Sequence, residues 1–426
     1  MELRFPVGFL WGAATAAHQV EGNNTNSDFW LMEQLEGSMF MEPSGIAVDH
    51  YRLYKGDIGM LAGLGLNAYR FSIEWARIEP EEGRFDESAI EHYRDMLVAC
   101  RVYGVTPIVT LHHFTSPQWL IRAGGWESAE TPMRFARYCE YVMRKLGEFI
   151  PYSCTINEAN MPLAITKIMK RHQLSESVAQ VGLNTEIKKK METYQAELSK
   201  SFGLPYDRIH PFLSPLSEKG IENVFRAHTE ARAAIRKSSP QTKVGITLSL
   251  YDIQSVPGGE AHAEKAMQEE FLQFIPYLKD DDFFGLQNYT RMVYGPDGML
   301  PVPADAEKTQ MGYEFYPQGL EAVIRYVAKH LGLPIIVTEN GIATDDDDRR
   351  IAFIDRALAG VHACIADGIP VKGYMHWSLL DNFEWQLGFS KRFGLVAVDR
   401  ATQRRIPKPS AFHLGRIARA NALITN

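Results

Sequence analysis

Ile335-Ile336-Val337-Thr338-Glu339-Asn340-Gly341 runs four residues of strand character into a lone carboxylate and then a turn pair. Branched side chains fit a pleated, packed surface, so the apolar part reads as a strand. Asn-Gly reads as a turn, because both residues tolerate positive φ. Glu339 then stands at the C-terminal end of a buried strand. A carboxylate there costs free energy to desolvate unless it has partners or a task. The alternative is an ordinary first residue of a loop. The rest of the chain decides between the two.

Outward from that stretch the same pattern recurs, a short apolar run ending in polar residues. It appears at 9–15, 67–72, 106–111, 152–157, 243–248, 284–289 and 373–377. Between the runs lie segments with apolar residues at helical spacing, at 51–63, 88–103, 131–149, 223–237, 261–274, 317–331, 350–367 and 410–420. Strands alternating with helices form a parallel sheet with helices outside. Eight such units predict a (β/α)8 barrel, an α/β fold occupying residues 1–426 as one domain. The runner-up is a doubly wound sheet. It would want a glycine-rich phosphate loop, and Gly12-Ala13-Ala14-Thr15-Ala16-Ala17 does not fit GxGxxG. The order loosens at 161–220, which is polar, lysine-rich and interrupted by Pro205, Pro211 and Pro215. This atypical insertion after the fourth strand reads as one or two helices and a long loop lying over one mouth of the fold.

The composition, 45% hydrophobic and 11% aromatic, supports a sizeable core and excludes wholesale disorder. A net charge of −7 argues against a nucleic-acid partner, which selects for a basic stripe. Cys100, Cys139, Cys154 and Cys364 show no CxxC spacing and read as buried thiols in a reducing compartment. The N-terminus lacks a charged segment followed by an apolar one, and no apolar run approaches the roughly 20 residues that span a bilayer. The expectation is a cytoplasmic protein with no membrane partner.

In a barrel, active residues collect at the C-terminal strand ends. Those ends offer His18, Gln19 and Glu21, then Arg70, His112 and His113, Asn157 and Glu158, Asn288 and Tyr289, Glu339, and Trp377. The fifth strand adds nothing prominent. Glycosidic cleavage needs two carboxyl groups, one protonating the leaving oxygen and one remaining ionised. Sugars also need aromatic faces for their CH surfaces and amides for their hydroxyls. The segment from Trp377 to Trp385 brackets Asp381, Asn382 and Glu384 with two indoles and suits that purpose. His112-His113 has no third ligand at recognisable spacing, so neither a metal nor another cofactor is expected. Residues 345–348 read as a solvated acidic loop and Lys188–Lys190 as a solvated helix face.

Four motifs carry a resemblance to glycoside hydrolase family 1, the β-glucosidase-like retaining enzymes, over nearly the whole chain. They are residues 9–22, Thr155-Ile156-Asn157-Glu158, Ile336-Val337-Thr338-Glu339-Asn340-Gly341, and Trp377–Trp385 followed by Arg392-Phe393-Gly394-Leu395. The resemblance implies Glu339 as nucleophile and Glu158 as general acid/base. It implies Gln19, His113, Asn157, Glu384 and Trp385 as ligands of the sugar hydroxyls, Trp377 as stacking floor and Phe393 as a closing wall. Arg70 and Tyr289 would orient Glu339 and keep it ionised, with Asn288 in support and Tyr313 as a platform for the leaving group. Retaining chemistry implies carboxyl groups about 5–5.5 Å apart.

Departures from the family pattern are as informative. Ala159 stands where proline is usual, which should relax the backbone after Glu158. Gln287 stands where Asn is commoner, and Tyr313 where a tryptophan platform is frequent. Glu384 would repel a phosphate, Phe393 lacks a hydroxyl, and Lys391 reads as a surface lysine, which argues against 6-phospho-sugar substrates. The presence of Glu158 argues against the thioglucosidase subclass. The expected substrate is a small glycoside or oligosaccharide with a terminal neutral β-D-hexosyl residue: glucosyl, with galactosyl and fucosyl as further candidates. A transglycosylase using the same intermediate and a non-catalytic sugar- or partner-binding barrel are the alternatives. The sequence is silent on oligomeric state.

Overall fold

Each apolar run becomes a strand by pairing on both sides. In the computed structural model, which describes residues 2–167 and 185–424, eight strands form a closed parallel barrel. They are β1 (Leu10–Ala14), β2 (Ala68–Ser72), β3 (Thr106–His112), β4 (Tyr152–Ile156), β5 (Lys243–Ser249), β6 (Phe283–Gln287), β7 (Ile335–Asn340) and β8 (Val371–Trp377). Neighbours in sequence are neighbours in space, and β8 closes on β1. Closure excludes the doubly wound alternative.

Space inside the barrel selects small residues. A Cβ on Gly12 would sit 2.3 Å from the Ala68 carbonyl oxygen and 2.5 Å from Met375 Sδ. The turn pair at the end of β7 behaves differently from its expected role. Asn340 continues the strand, and neither it nor Gly341 has positive φ. Gly341 is there for close approach instead: a Cβ would lie 2.0 Å from the Trp377 carbonyl oxygen. The Asn340 amide donates to the Asn288 carbonyl at 2.6 Å and accepts from the Tyr374 hydroxyl at 3.0 Å, tying β7 to both flanking segments.

The helices pack outside by the expected periodicity. Helix Thr131–Leu146 buries Phe135, Tyr138, Cys139, Val142 and Leu146 on one stripe, with Pro132 in its first turn. Helix Glu87–Val102 starts where Asp86 accepts from the Ser88 and Ala89 amides. The acidic stretch 345–348 is more structural than its reading as a solvated loop. Asp346 caps helix Asp347–Ala366, and Asp347 holds the Ser410 amide and hydroxyl, each at 2.7 Å. All four cysteines are buried and free.

Three smaller pieces have no strong signature in the sequence. Strand Glu2–Arg4 pairs antiparallel with Ala422–Ile424, joining the two chain ends. Asp252–Ser255, Arg291–Gly295 and Gly298–Met299 form a small sheet, and Val396–Asp399 pairs with Arg404–Pro407. Within 161–220, residues 161–167 are helical, and helix Thr185–Phe202 packs Tyr194, Leu198 and Phe202 against Ile121 and Ile209. Lys189 and Lys190 are exposed, whereas 168–184, also part of the expected cover, lie outside the described residues. Among the described residues no helix is long and apolar enough to cross a membrane.

Candidate active site

β7 delivers Glu339 to the C-terminal end of the barrel through a break in register. Pairing with both β6 and β8 shifts across Thr338. Such irregularities re-aim side chains beside functional sites. Arg70 Nη1 donates to Glu339 Oε1 at 2.5 Å, and the Tyr289 hydroxyl donates to Oε2 at 2.5 Å. Burial pushes the Glu339 pKa up, while the Arg70 charge and the Tyr289 hydrogen bond pull it back. Arg70 is fully buried and is itself held by Thr110 Oγ1 at 3.1 Å and Asn157 Oδ1 at 2.6 Å.

Glu158 follows β4 in a left-handed conformation, with φ of 43°. A non-glycine residue stays there only when its surroundings enforce it. Its amide donates to Thr247 Oγ1 at 2.9 Å, and the Ala159 amide donates to the Thr247 carbonyl at 3.1 Å. Proline at 159 could not make the second bond, so alanine anchors this backbone where relaxation was expected. Asn160 adds a reciprocal pair with Ser249. Its Nδ2 donates to the Ser249 carbonyl at 2.7 Å, and its Oδ1 accepts from the Ser249 amide at 3.2 Å. Burial, then the charge of Glu339, raises the Glu158 pKa well above the ordinary value. A hydrogen bond from the Ser249 side chain and the Arg70 charge oppose the rise.

Asn157 Oδ1 accepts from Arg70, from Gln287 Nε2 at 2.7 Å and from Thr247 Oγ1 at 3.2 Å. That network orients the amide, and its Nδ2 has no partner among the described residues. Gln287, the residue that departs from the usual Asn, therefore serves this orientation. His113 lies nearly parallel to Trp377, with centroids 5.9 Å apart, and its Nδ1 is also without a partner. Burial and the Arg70 charge keep that imidazole well below its ordinary pKa, hence neutral. Glu384 is half-buried, and loss of solvent followed by the charge of Glu339 pushes it up to about 8.

These groups line one cavity of about 410 Å³ that contains Glu158, Glu339, Asn157, His113, Tyr289, Trp377, Glu384, Trp385, Phe393 and Tyr313. Gln19, Arg70 and Asn288 stand behind its wall. Gln19 Nε2 donates to the Phe383 carbonyl at 2.7 Å and reaches Glu384 Oε2 at 3.5 Å, leaving its Oε1 without a partner among the described residues. Asn288 spends its amide on the carbonyls of Leu250 and Thr290. Lys391 donates to the Gln310 carbonyl at 2.9 Å.

Three other strand-end residues are structural. His112 bonds Ser116, and burial pushes it down to about 3. His18 pairs with Glu33 at 2.6 Å and stacks on Trp385, and Glu21 pairs with Arg77 at 2.8 Å. The reading that the fifth strand offers little is corrected here. Thr247 and Ser249 are the groups that hold Glu158, and Tyr251 follows them onto the cavity wall. Two hydroxyls at alternate positions at the C-terminal end of a strand are the available signal.

Two carboxyl groups in unequal electrostatic settings, in an aromatic-walled cavity at a barrel mouth, define a glycoside-cleaving class of site. The comparisons agree. The family model described as glycosyl hydrolase family 1 matches residues 1–195 and 279–423. The thermostable β-glucosidase B of Thermobispora bispora is 31% identical over 99% of this chain and 92% of its own. The β-glucosidase A of Thermotoga maritima is 29% identical over 99% of each. A crystal structure of a β-glycosidase superposes with a TM-score of 0.89 at 49% identity over 99% of each chain. The Thermotoga maritima β-glucosidase in complex with cyclophellitol gives 0.83 at 28% identity, covering 99% of this chain and 100% of its own. The chain belongs to glycosyl hydrolase family 1, and it is a glycoside hydrolase of the (β/α)8 type.

Proposed function

We propose that the protein is a retaining β-glucosidase acting on terminal non-reducing neutral β-D-hexosyl residues, with galactosides and fucosides as further substrates. The observation that carries this reading is the asymmetry of the two carboxyl groups. Glu339 is gripped by a buried guanidinium and a phenol that favour its anion. Glu158 faces that anion from a buried position that favours its proton. Glu339 attacks the anomeric carbon, and Glu158 gives its proton to the departing oxygen. The covalent ester then removes the negative charge of Glu339. With that charge gone Glu158 ionises more readily, takes a proton from water, and the hydroxide releases the sugar with its β configuration retained.

The unpartnered buried atoms support a sugar as ligand. On the cavity wall Asn157 Nδ2 and His113 Nδ1 lack partners among the described residues, an arrangement that costs free energy unless a substrate hydroxyl completes it. Trp377 offers the stacking face, Trp385 and Glu384 the outer hydroxyl contacts, and Phe393 packs edge-on to Tyr289 at 6.2 Å to close one side. Relatives named β-glucosidase support glucose as the preferred sugar. Both carboxyl groups being present favours a hydrolase over a non-catalytic barrel. The test is cleavage of p-nitrophenyl β-D-glucoside, galactoside and fucoside by wild type and by Glu339→Ala. Activity on the glucoside that vanishes in the variant is expected. A wild-type chain inactive on all three, or a variant equal to wild type, would overturn the reading.

A further inference from the structure

The proposal concerns the leaving group and rests on the glycosidase reading above. Glu158 protonates the departing oxygen, so whatever departs lies on the Glu158 side of the cavity. Met161 and Ile165 follow Glu158 on the same segment, four residues apart in the helical stretch 161–167, and therefore share a face. Leu213 joins them from farther along the segment 161–220. Tyr251 and Tyr313, both near enough to Glu158 to feel its charge, add two rings to the wall, and burial pushes both phenols up, so they remain neutral.

The polar groups of this half are few and partly engaged. Ser249 hydrogen-bonds Glu158 through its side chain and Asn160 through its backbone. Among the described residues, apart from Gln386 and the two phenols, nothing else here offers a hydroxyl-binding group, and no Lys, Arg or Asp lines the cavity. The charged residues that do line it, Glu158, Glu339 and Glu384, belong to the chemistry and to the glycone. A second sugar placed here would surrender several water contacts for few protein partners, and each unpaired group is costly. An apolar surface placed here meets Met161, Ile165 and Leu213.

We propose that the leaving-group half of the site selects apolar aglycones, alkyl or aryl alcohols, over a second sugar. A series of n-alkyl β-D-glucosides from methyl to hexyl tests this, because the acidity of the leaving alcohol barely changes along it. The kcat/KM is expected to rise about two- to fourfold per methylene until the wall is covered, as burial of apolar surface requires. Hexyl glucoside should then exceed cellobiose. Leu213→Asn and Ile165→Asn should each lower the hexyl-to-methyl ratio of kcat/KM, a quantity independent of how much folded enzyme is present. A flat series, or cellobiose turned over better than hexyl glucoside, would overturn this proposal while p-nitrophenyl β-D-glucoside is still cleaved. Failure to cleave any glycoside would overturn the glycosidase reading and this proposal together.

Discussion

Tyr289→Phe isolates one of the two contacts that keep Glu339 ionised. The substitution preserves the ring, its packing against Phe393 and the shape of the cavity, and deletes only the hydroxyl bonded to Glu339 Oε2 at 2.5 Å. Arg70 remains on the other oxygen. A hydrogen bond to a charged group contributes about 1.5–3 kcal/mol, so kcat/KM should fall about 10- to 150-fold if the anion is the reacting form. The pH dependence carries the sharper sign. Burial raises the Glu339 pKa, and the Tyr289 bond lowers it. Without that bond the pKa rises further, the ionised fraction falls at acid pH, and the acid limb of kcat/KM moves to higher pH. The assay is initial-rate hydrolysis of p-nitrophenyl β-D-glucoside across pH in wild type and variant. An acid limb that stays in place, with kcat/KM within twofold of wild type, would refute the reasoning.

Other consequences follow from single contacts. Ser249→Ala removes a hydrogen bond that lowers the Glu158 pKa, so Glu158 keeps its proton longer and the alkaline limb of kcat/KM should move to higher pH. Glu339, Glu384 and Arg70 still face Glu158 in that variant, and a limb that moves to lower pH would contradict the assignment. Thr247→Val leaves the Glu158 amide without its 2.9 Å acceptor and should cost about 1–3 kcal/mol in urea unfolding, with kcat lowered more than KM is raised. Gly341→Ala drives a Cβ to within 2.0 Å of the Trp377 carbonyl oxygen. It should cost about 1–3 kcal/mol or more by thermal unfolding and raise KM by displacing the indole floor.

The barrel was legible because each strand is a short apolar run whose end is marked by polar residues, and each helix has its own periodicity. The positions of Glu158 and Glu339 at strand ends followed from the same pattern. What escaped reading depends on groups distant in sequence. Gly341 looks like a turn glycine until the Trp377 carbonyl is placed against it. Asp347 looks solvated until Ser410 arrives from the last helix. Ala159 looks like a loosening of the acid/base loop until the Thr247 carbonyl shows what its amide can reach. Thr247 and Ser249 are small, common residues whose role exists only because β5 lies beside β4. The segment 161–220 shows no single periodicity, and its contribution to the cavity among the described residues comes from two separate points along it, Met161 with Ile165 on one helical face and Leu213 much farther on.

The account stands on Glu339 as the covalent nucleophile and Glu158 as its acid/base partner. Chemical rescue by azide distinguishes the two directly. Azide is small enough to enter the space left by a deleted carboxylate. Glu339→Gly supplied with an activated β-glucoside and sodium azide should regain turnover and release the α-glucosyl azide, because azide attacks from the face that Glu339 occupied. Glu158→Gly under the same conditions should yield the β-glucosyl azide, because the covalent ester still forms and azide replaces water. The α product from Glu158→Gly together with the β product from Glu339→Gly would reverse the assignment and contradict the account.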